Sequence, residues 1–539
     1  MSYNRPDIIE TIIRRVNSFS EGYRQNIALI GEPSIGKTSL IKDILSSNQI
    51  KSDAIIPIYL EIKIEPFGFC AKRFIKSALF QLMRSDPALT APHDTVLLIE
   101  DLKRTHPKTA ETCIRVLQDI DKGRMDEGYS FMLDITAMIS EESKKRSLLI
   151  LDEFHNLGNF DLKHPYATLA KKIMLQKDTM YLLLSSKATI SQRIFNEKLA
   201  LLFGNFEKMI LSPFDMNMSR SFLQDKMRGA ALPQVYMDFV ATFTGNKPFY
   251  MQVLCDEMEK GVFSRKISSD NHAELIEFAL TESVFKKTGV INQLFSNLFF
   301  RISDGKLLSK TAALLIALSS GSKKQADMVS SSRLQARDAS KILNRLVDMD
   351  IIVRNGSFYR FKDRLFSFWL QSVYLKRILS FSLDELMEEG YFKKDIRAKI
   401  SIFLQEFEKE LSSRVIDLFK LFKNDVIQLN GKKHKFLSFT DVGRPGTEAP
   451  GNINILAANS RFKWLCTIKK EHVTEAEITE IIKNTKTKSR ANRINRNILI
   501  SLAGINENAY LMAKEAKLWV WNMDDLNVLM ELYEKPQVG

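Results

Sequence analysis

Gly31-Glu32-Pro33-Ser34-Ile35-Gly36-Lys37-Thr38-Ser39 is the stretch on which the reading of the whole chain turns. It fits the phosphate-binding pattern Gly-x-x-x-x-Gly-Lys-Thr, the Walker A loop. Residues 26–30 ahead of it form a short apolar run of strand type, and Leu40, Ile41, Ile44 and Leu45 behind it recur at helical spacing. Strand, glycine loop and helix in that order predict backbone N–H groups wrapped around phosphate oxygens at a helix N-terminus. In that pattern Lys37 reaches the β- and γ-phosphates of ATP and Thr38 ligates Mg²⁺. A chance glycine turn is the plain alternative, and the flanking elements speak against it.

Outward from the loop, apolar runs at 55–62, 148–151, 180–184 and 209–211 alternate with helical or irregular stretches. That is the pattern of a mainly parallel sheet covered on both faces, so the fold class is α/β. Residues 1–215 are expected to form one P-loop domain with a polar, helical insertion over about 90–145. The run 148–151 ends in Asp152-Glu153, which places two carboxylates at the C-terminal end of a buried strand, where ligands of open α/β sheets bind. Asp152 is expected to hold the Mg²⁺ hydration shell and Glu153 to orient and deprotonate the attacking water, the alternative being an ordinary acidic turn. Ser185 and Ser186 close the run 180–184 and are candidate sensors of the γ-phosphate, or simply a polar strand end. Arg193 and Lys198 follow as candidate fingers toward a neighbouring subunit, or as solvated helix charges.

Residues 216–300 lose the strand pattern and read as a helical lid. Over 301–380, helical segments at 311–318, after Gly321 and at 336–347 precede an alternating stretch, 351–361, centred on Asn355-Gly356. Three helices and a hairpin predict a winged helix. Arg333, Arg337, Lys341 and Arg345 lie in or beside its third helix and Arg354 and Arg360 on its wing, as candidate DNA contacts, with protein docking the other use of such a module. After a helical connector, apolar runs at 453–456, 464–468, 498–502 and 518–521 predict a small α/β unit, making 381–539 the last domain. Within it Lys483, Lys486, Lys488, Arg490, Arg493 and Arg496 form a row of cations free of carboxylates, suited to phosphate contacts or to a solvated helix face.

The composition fits several soluble domains: 539 residues exceed one ordinary core, with 45% hydrophobic and 26% charged residues. A net charge of +14 favours a polyanionic partner, with DNA the first candidate. Cys70, Cys113, Cys255 and Cys466 lie too far apart for a zinc or disulfide framework. No run approaches the roughly 18 apolar residues of a membrane span, and the first residues hold no signal core, so a cytoplasmic protein without membrane partners is expected.

Taken together, residues 31–38, Leu151-Asp152-Glu153-Phe154, Gly245-Asn246-Lys247-Pro248 and the winged-helix pattern resemble the archaeal-type ATPases of the STAND and AAA+ group, relatives of replication-initiator ATPases. The resemblance spans about residues 1–370. It implies an ASCE-type sheet with one strand between the two Walker strands, ATP used as a conformational switch, and a homo-oligomer through the ATPase domain. One departure is the lack of a clear arginine for the second sensor. Lys247 is a poor substitute for it, which implies slow turnover. The tail resembles the restriction-endonuclease-like domains of that group, which commonly carry Asp on one strand and Glu-x-Lys on the next. Here Asn454 and Thr467 replace the acids, leaving Lys469, with Glu410 on the preceding helix as the remaining acidic candidate, and two neutral side chains offer Mg²⁺ little. The function expected is a Mg²⁺-dependent ATP switch that binds or assembles on DNA. The alternatives are a signal-sensing STAND-type ATPase of a defence or mobile-element system, acting through a protein partner at its C-terminal domain, and an ATP-regulated nuclease.

Overall fold

The computed structural model describes residues 5–47, 49–50, 53–84, 95–202, 204–227, 229–264, 267–302, 308–379, 385–445, 453–492 and 494–538. They form two compact units. The first comprises 1–218 with 247–250 and 348–350, and the second holds the remainder.

The first unit is built on five strands, β1 (Asn26–Gly31), β2 (Ile55–Glu61), β3 (Arg146–Asp152), β4 (Thr179–Ser185) and β5 (Phe206–Leu211). They are all parallel and ordered β2-β3-β4-β1-β5. Every residue of β1 and β4 is buried, as central strands covered on both faces require. Alternation along β1 divides the cover. Ile27 and Leu29 join the core beneath helices Pro6–Ser20 and Lys37–Ser46, whereas Ala28 and Ile30 join the core beneath helix Phe67–Arg84. The expected strand between the two Walker strands is β4. The long insertion is helical, with Thr95–Thr105, Pro107–Asp121 and Met125–Ser143, and it belongs to the core. Tyr129 meets Phe67 edge-on at 5.8 Å, and Leu102, Val116 and Leu133 are sealed from solvent. Its residues 90–94 lie outside the described set.

The second unit opens with helices and continues as Leu308–Ser319, Gln325–Ser332 and Ala336–Asp348, followed by the antiparallel hairpin β6 (Ile352–Asn355) and β7 (Phe358–Phe361). The C-terminal strands are β8 (Asp425–Leu429), β9 (Lys432–Phe436), β10 (Asp441–Gly443), β11 (Ile453–Ala458), β12 (Lys463–Lys469), β13 (Arg496–Ser501) and β14 (Trp519–Trp521). β10 to β14 form one mixed sheet in sequence order, antiparallel as far as β12 and parallel beyond it. β8 and β9 form a separate hairpin that the hydrophobic runs did not reveal. β8 covers the tip of the β6–β7 hairpin. Ser357 N donates to Val426 O at 2.8 Å, while Asn355 Nδ2 and Oδ1 bond Gln428 O and N at 3.1 and 2.7 Å. A Cβ on Gly356, whose φ is 60°, would sit 2.0 Å from Val426 O, so the turn tolerates only glycine there. No helix among the described residues is long and apolar enough to cross a membrane.

Candidate nucleotide-binding site

Because β1, β3 and β4 run parallel and adjacent, their C-terminal ends share one edge of the sheet, and the predicted site residues meet there. A Cβ on Gly31 would lie 2.5 Å from Leu211 O of β5, so glycine is needed for the loop to leave the sheet. Ser34 and Gly36 take positive φ, 68° and 90°, and Gly36 sits at the start of helix Lys37–Ser46. Lys37 Nζ folds back onto this loop and donates to the carbonyls of Gly31 and Glu32, both at 2.9 Å. Burial lowers its pKa, while Glu153, Asp152 and Glu32 pull the other way. An ammonium held by neutral carbonyls and flanked by acids can exchange those partners for phosphate oxygens.

Asp152 closes β3. Its Oδ2 accepts from Thr38 Oγ1 at 2.5 Å and from the Tyr59 hydroxyl at 2.9 Å, and its Oδ1 accepts from Glu153 N at 2.9 Å. Tyr59 on β2 was not singled out in the sequence, where it was one aromatic in an apolar run. Burial, then the Asp152 charge, raises its pKa.

Glu153 adopts a left-handed backbone, φ 54°. Its Oε2 accepts from Ser186 N at 2.9 Å and Ser186 Oγ at 2.7 Å. Ser185 Oγ lies 2.9 Å from His155 Nδ1 and receives Ser191 Oγ at 2.6 Å. The pKa of His155 is lowered to about 4, first by burial and then by Lys187 and Lys37, so its ring is neutral at pH 7. This histidine, also unread in the sequence, links Ser185 to the acid that Ser186 bonds directly: its Nδ1 is 3.3 Å from Glu153 Oε2.

Lys247 is buried with its ammonium 3.3 Å from Glu32 Oε2, and Phe249 N donates to Ser34 O at 3.3 Å. Segment 247–250 therefore touches the loop itself. Arg193 pairs with Asp348 at 3.3 Å, whereas Lys198 is exposed. Close in sequence to Asp348, Asp350 accepts from Thr189 N and Oγ1 at 3.1 and 2.9 Å.

Helix Ala336–Asp348 buries Ala339, Ile342, Leu343 and Leu346. Arg337, Lys341 and Arg345 are left exposed one turn apart, with no hydrogen bond or ion pair among the described residues, and Arg333 is exposed before them. Arg354 is exposed and bends toward Tyr359, with Nε 3.2 Å from Gly356 O. Arg360, read as a wing cation, is tied to Glu531 at 2.8 Å. The basic row is not one helix face: Lys483 lies on helix Glu475–Asn492, while Arg496 lies on β13 over the ring of Trp519. The side chains of Lys486, Lys488 and Arg490, and all of Arg493, fall outside the described residues. Asn454 and Thr467 are direct cross-strand partners, with Thr467 Oγ1 donating to Asn454 Oδ1 at 2.8 Å. Lys469 is paired with Glu477 at 2.9 Å, and Glu410 with Arg444.

Among solved structures, a Walker-type ATPase of Pyrococcus abyssi is similar at 15% identity, covering 68% of this chain and 97% of its own, with a TM-score of 0.46. The ORC2 protein of Aeropyrum pernix follows at 12% identity, 74% and 95% coverage and a TM-score of 0.43. The RuvB Holliday junction branch migration motor of Thermotoga maritima gives 11% identity, 71% and 96% coverage and 0.33. No curated protein sequence matches this chain. Residues 20–188 match the family model described as an AAA domain, and they span β1 to β4 with the phosphate loop and Asp152-Glu153. Sequence match and parallel strand order agree that this chain carries an AAA-type P-loop ATPase domain.

Proposed function

We propose that the protein is a Mg²⁺-dependent ATP-hydrolysing switch whose nucleotide state governs its hold on DNA. The observation that carries this reading is the contact of Thr38 Oγ1 with Asp152 Oδ2 beside a loop-bound Lys37. A hydroxyl and a carboxylate side by side are the hard oxygen groups a Mg²⁺ site uses, Thr38 as a ligand and Asp152 holding the ion's hydration shell, with phosphates completing the coordination. Bound there, the ion would neutralise and align the β- and γ-phosphates. Lys37 holds the same phosphates. Glu153, once its carboxylate leaves Ser186, orients the attacking water and takes its proton, and Ser185 and Ser186 register whether the γ-phosphate is present. No clear arginine serves as second sensor in this scheme, and the buried Lys247, paired with Glu32, is a poor substitute for one.

The chain then divides as an ATPase core at 1–215, a lid at 216–300, a winged helix at 301–380 and a nuclease-like domain at 381–539. The exposed stripe Arg337, Lys341 and Arg345 is the DNA-holding face, with Arg354 on the hairpin that follows. The last domain binds rather than cuts, because Asn454 and Thr467 satisfy each other and supply no anionic oxygen. The hairpin tip covered by β8 favours a second reading, a signal-sensing ATPase that acts through a protein partner. A DNA pull-down with and without ATP separates the two. Retention that changes with nucleotide and is lost in Lys37→Ala supports the switch, and no retention in either state favours the second. Nicking of supercoiled plasmid in Mg²⁺ or Mn²⁺ that disappears with Lys469→Ala would overturn the binding-only role of the tail.

A further inference from the structure

A cavity of about 500 Å³ in the second unit belongs to none of the sites above, although it takes in Arg360. Its size is that of an ordinary small-molecule site. Five cations line it, Lys323, Arg360, Arg364, Lys399 and Lys535, against two carboxylates, Glu531 and Glu534. Most of the apolar lining is aromatic. Phe239 and Phe243 stack at 5.3 Å on helix Gln234–Phe243, Phe368 meets Phe243 edge-on at 4.9 Å, and Phe403 meets Phe239 edge-on at 5.5 Å. Arg364 and Phe368 are four residues apart on one helix, as are Lys399 and Phe403 on another, so each helix carries a cation one turn from a ring.

Two of the cations have structural work. Lys323 Nζ caps the end of helix Met523–Leu532 by donating to Leu532 O at 2.6 Å and lies 3.3 Å from Glu534, and Lys535 donates to Glu406 at 3.1 Å. The others are in excess. Arg360 and Arg364 converge on a single oxygen, Glu531 Oε1, at 2.8 and 3.0 Å, so two guanidinium charges face one carboxylate. Lys399 is exposed and has no hydrogen bond or ion pair among the described residues. The unbalanced charge matches a phosphate monoester dianion, and the rings match a planar apolar body attached to it.

We propose that this cavity is an effector site for a nucleoside monophosphate, with its phosphate on Arg360, Arg364 and Lys399 and its base against Phe243 and Phe368. Such a ligand ties the helix that carries Phe239 and Phe243 to the C-terminal segment 531–536. It is independent of the phosphate loop, and of whether the protein acts on DNA.

The test is calorimetric titration of the full-length Lys37→Ala chain, whose phosphate loop is disabled, with adenosine 5′-monophosphate, adenosine and inorganic phosphate in parallel. The expected result is saturable binding of the monophosphate, with adenosine and phosphate at least tenfold weaker. Lys399→Gln, which removes an exposed charge that has no hydrogen bond or ion pair among the described residues and so leaves the fold intact, should weaken the monophosphate about fivefold, the upper worth of a solvent-exposed ion pair. Phe243→Ala should weaken it without changing the circular dichroism spectrum. No binding at millimolar monophosphate, phosphate binding as tightly as the nucleotide, or affinity untouched by Lys399→Gln would each overturn the assignment. Failure here leaves hydrolysis at Lys37 and Glu153 intact as a separate question, read by ATP turnover of the unmodified chain.

Discussion

Thr38 Oγ1 donates to Asp152 Oδ2 at 2.5 Å across 114 residues of sequence. The pair is set by strand order: β4 alone separates β1 from β3, so the helix that follows β1 starts beside the end of β3. Replacing Lys37, which closes the same corner, with Ala removes a charge-assisted contact worth about 1.5–3 kcal/mol, or roughly 10- to 150-fold in ATP affinity. Titration with a fluorescent ATP analogue checks this, and unchanged affinity in a folded variant would remove the loop from the site.

Glu153→Gln keeps the acceptor that Ser186 uses but cannot take a proton. ATP should still bind, while turnover falls by about 10²- to 10⁴-fold, the usual contribution of a general base. Single-turnover hydrolysis is the measurement, and normal turnover would reduce Glu153 to a strand-end acid.

Tyr59→Phe deletes one of the two donors on Asp152 Oδ2. With Thr38 still in place the carboxylate is not orphaned, so the loss should be modest, about 1 kcal/mol in urea unfolding of the nucleotide-free protein. A loss above about 3 kcal/mol would mean that the hydroxyl anchors more than Asp152.

His155 gives a pH signature. Its pKa falls from 6.5 in the unfolded chain to about 4 in the fold, so between those values the unfolded state binds the extra proton. Its contribution to stability is full above pH 6.5 and is lost progressively as pH falls toward 4. His155→Asn should therefore narrow the drop in unfolding free energy between pH 7 and pH 5 by about 2 kcal/mol. Parallel slopes in the two proteins would show that the ring is not held neutral.

On the DNA-binding reading proposed above, changing Arg337, Lys341 and Arg345 to Gln should lower the dependence of DNA affinity on salt by about one unit of slope per lost phosphate contact. Fluorescence anisotropy at several salt concentrations reads it, and an unaltered slope would move the DNA site off this helix.

The AAA-type core was legible because its signals are local: a glycine loop between a strand and a helix, and two acids at the end of an apolar run. The three-helix insertion was legible as helix but not as core, because Tyr129 and Leu133 find Phe67 and its neighbours only across the fold. Tyr59 and His155 escaped for the same reason. Neither sits in a motif, and each matters through a partner on another strand. The β8–β9 hairpin did leave a trace in Asn430-Gly431, the same dipeptide signal that identified β6–β7, but its strands are short and β9 is mostly lysine. Arg360 looked like a free wing cation because its partner, Glu531, lies 171 residues further on.

The covered tip of the β6–β7 hairpin also sets an order of assembly during synthesis. Ser357 and Asn355 find their backbone partners 69 and 73 residues downstream, on β8. At roughly 5–20 residues per second, the ribosome needs about 4–14 s to make that stretch, during which the turn around Gly356 stands finished but uncovered. An open strand edge of this kind is the sort that pairs with other chains. The nascent protein therefore passes through an interval in which the hairpin is exposed to neighbours on the same messenger, and it ends when β8 emerges and docks.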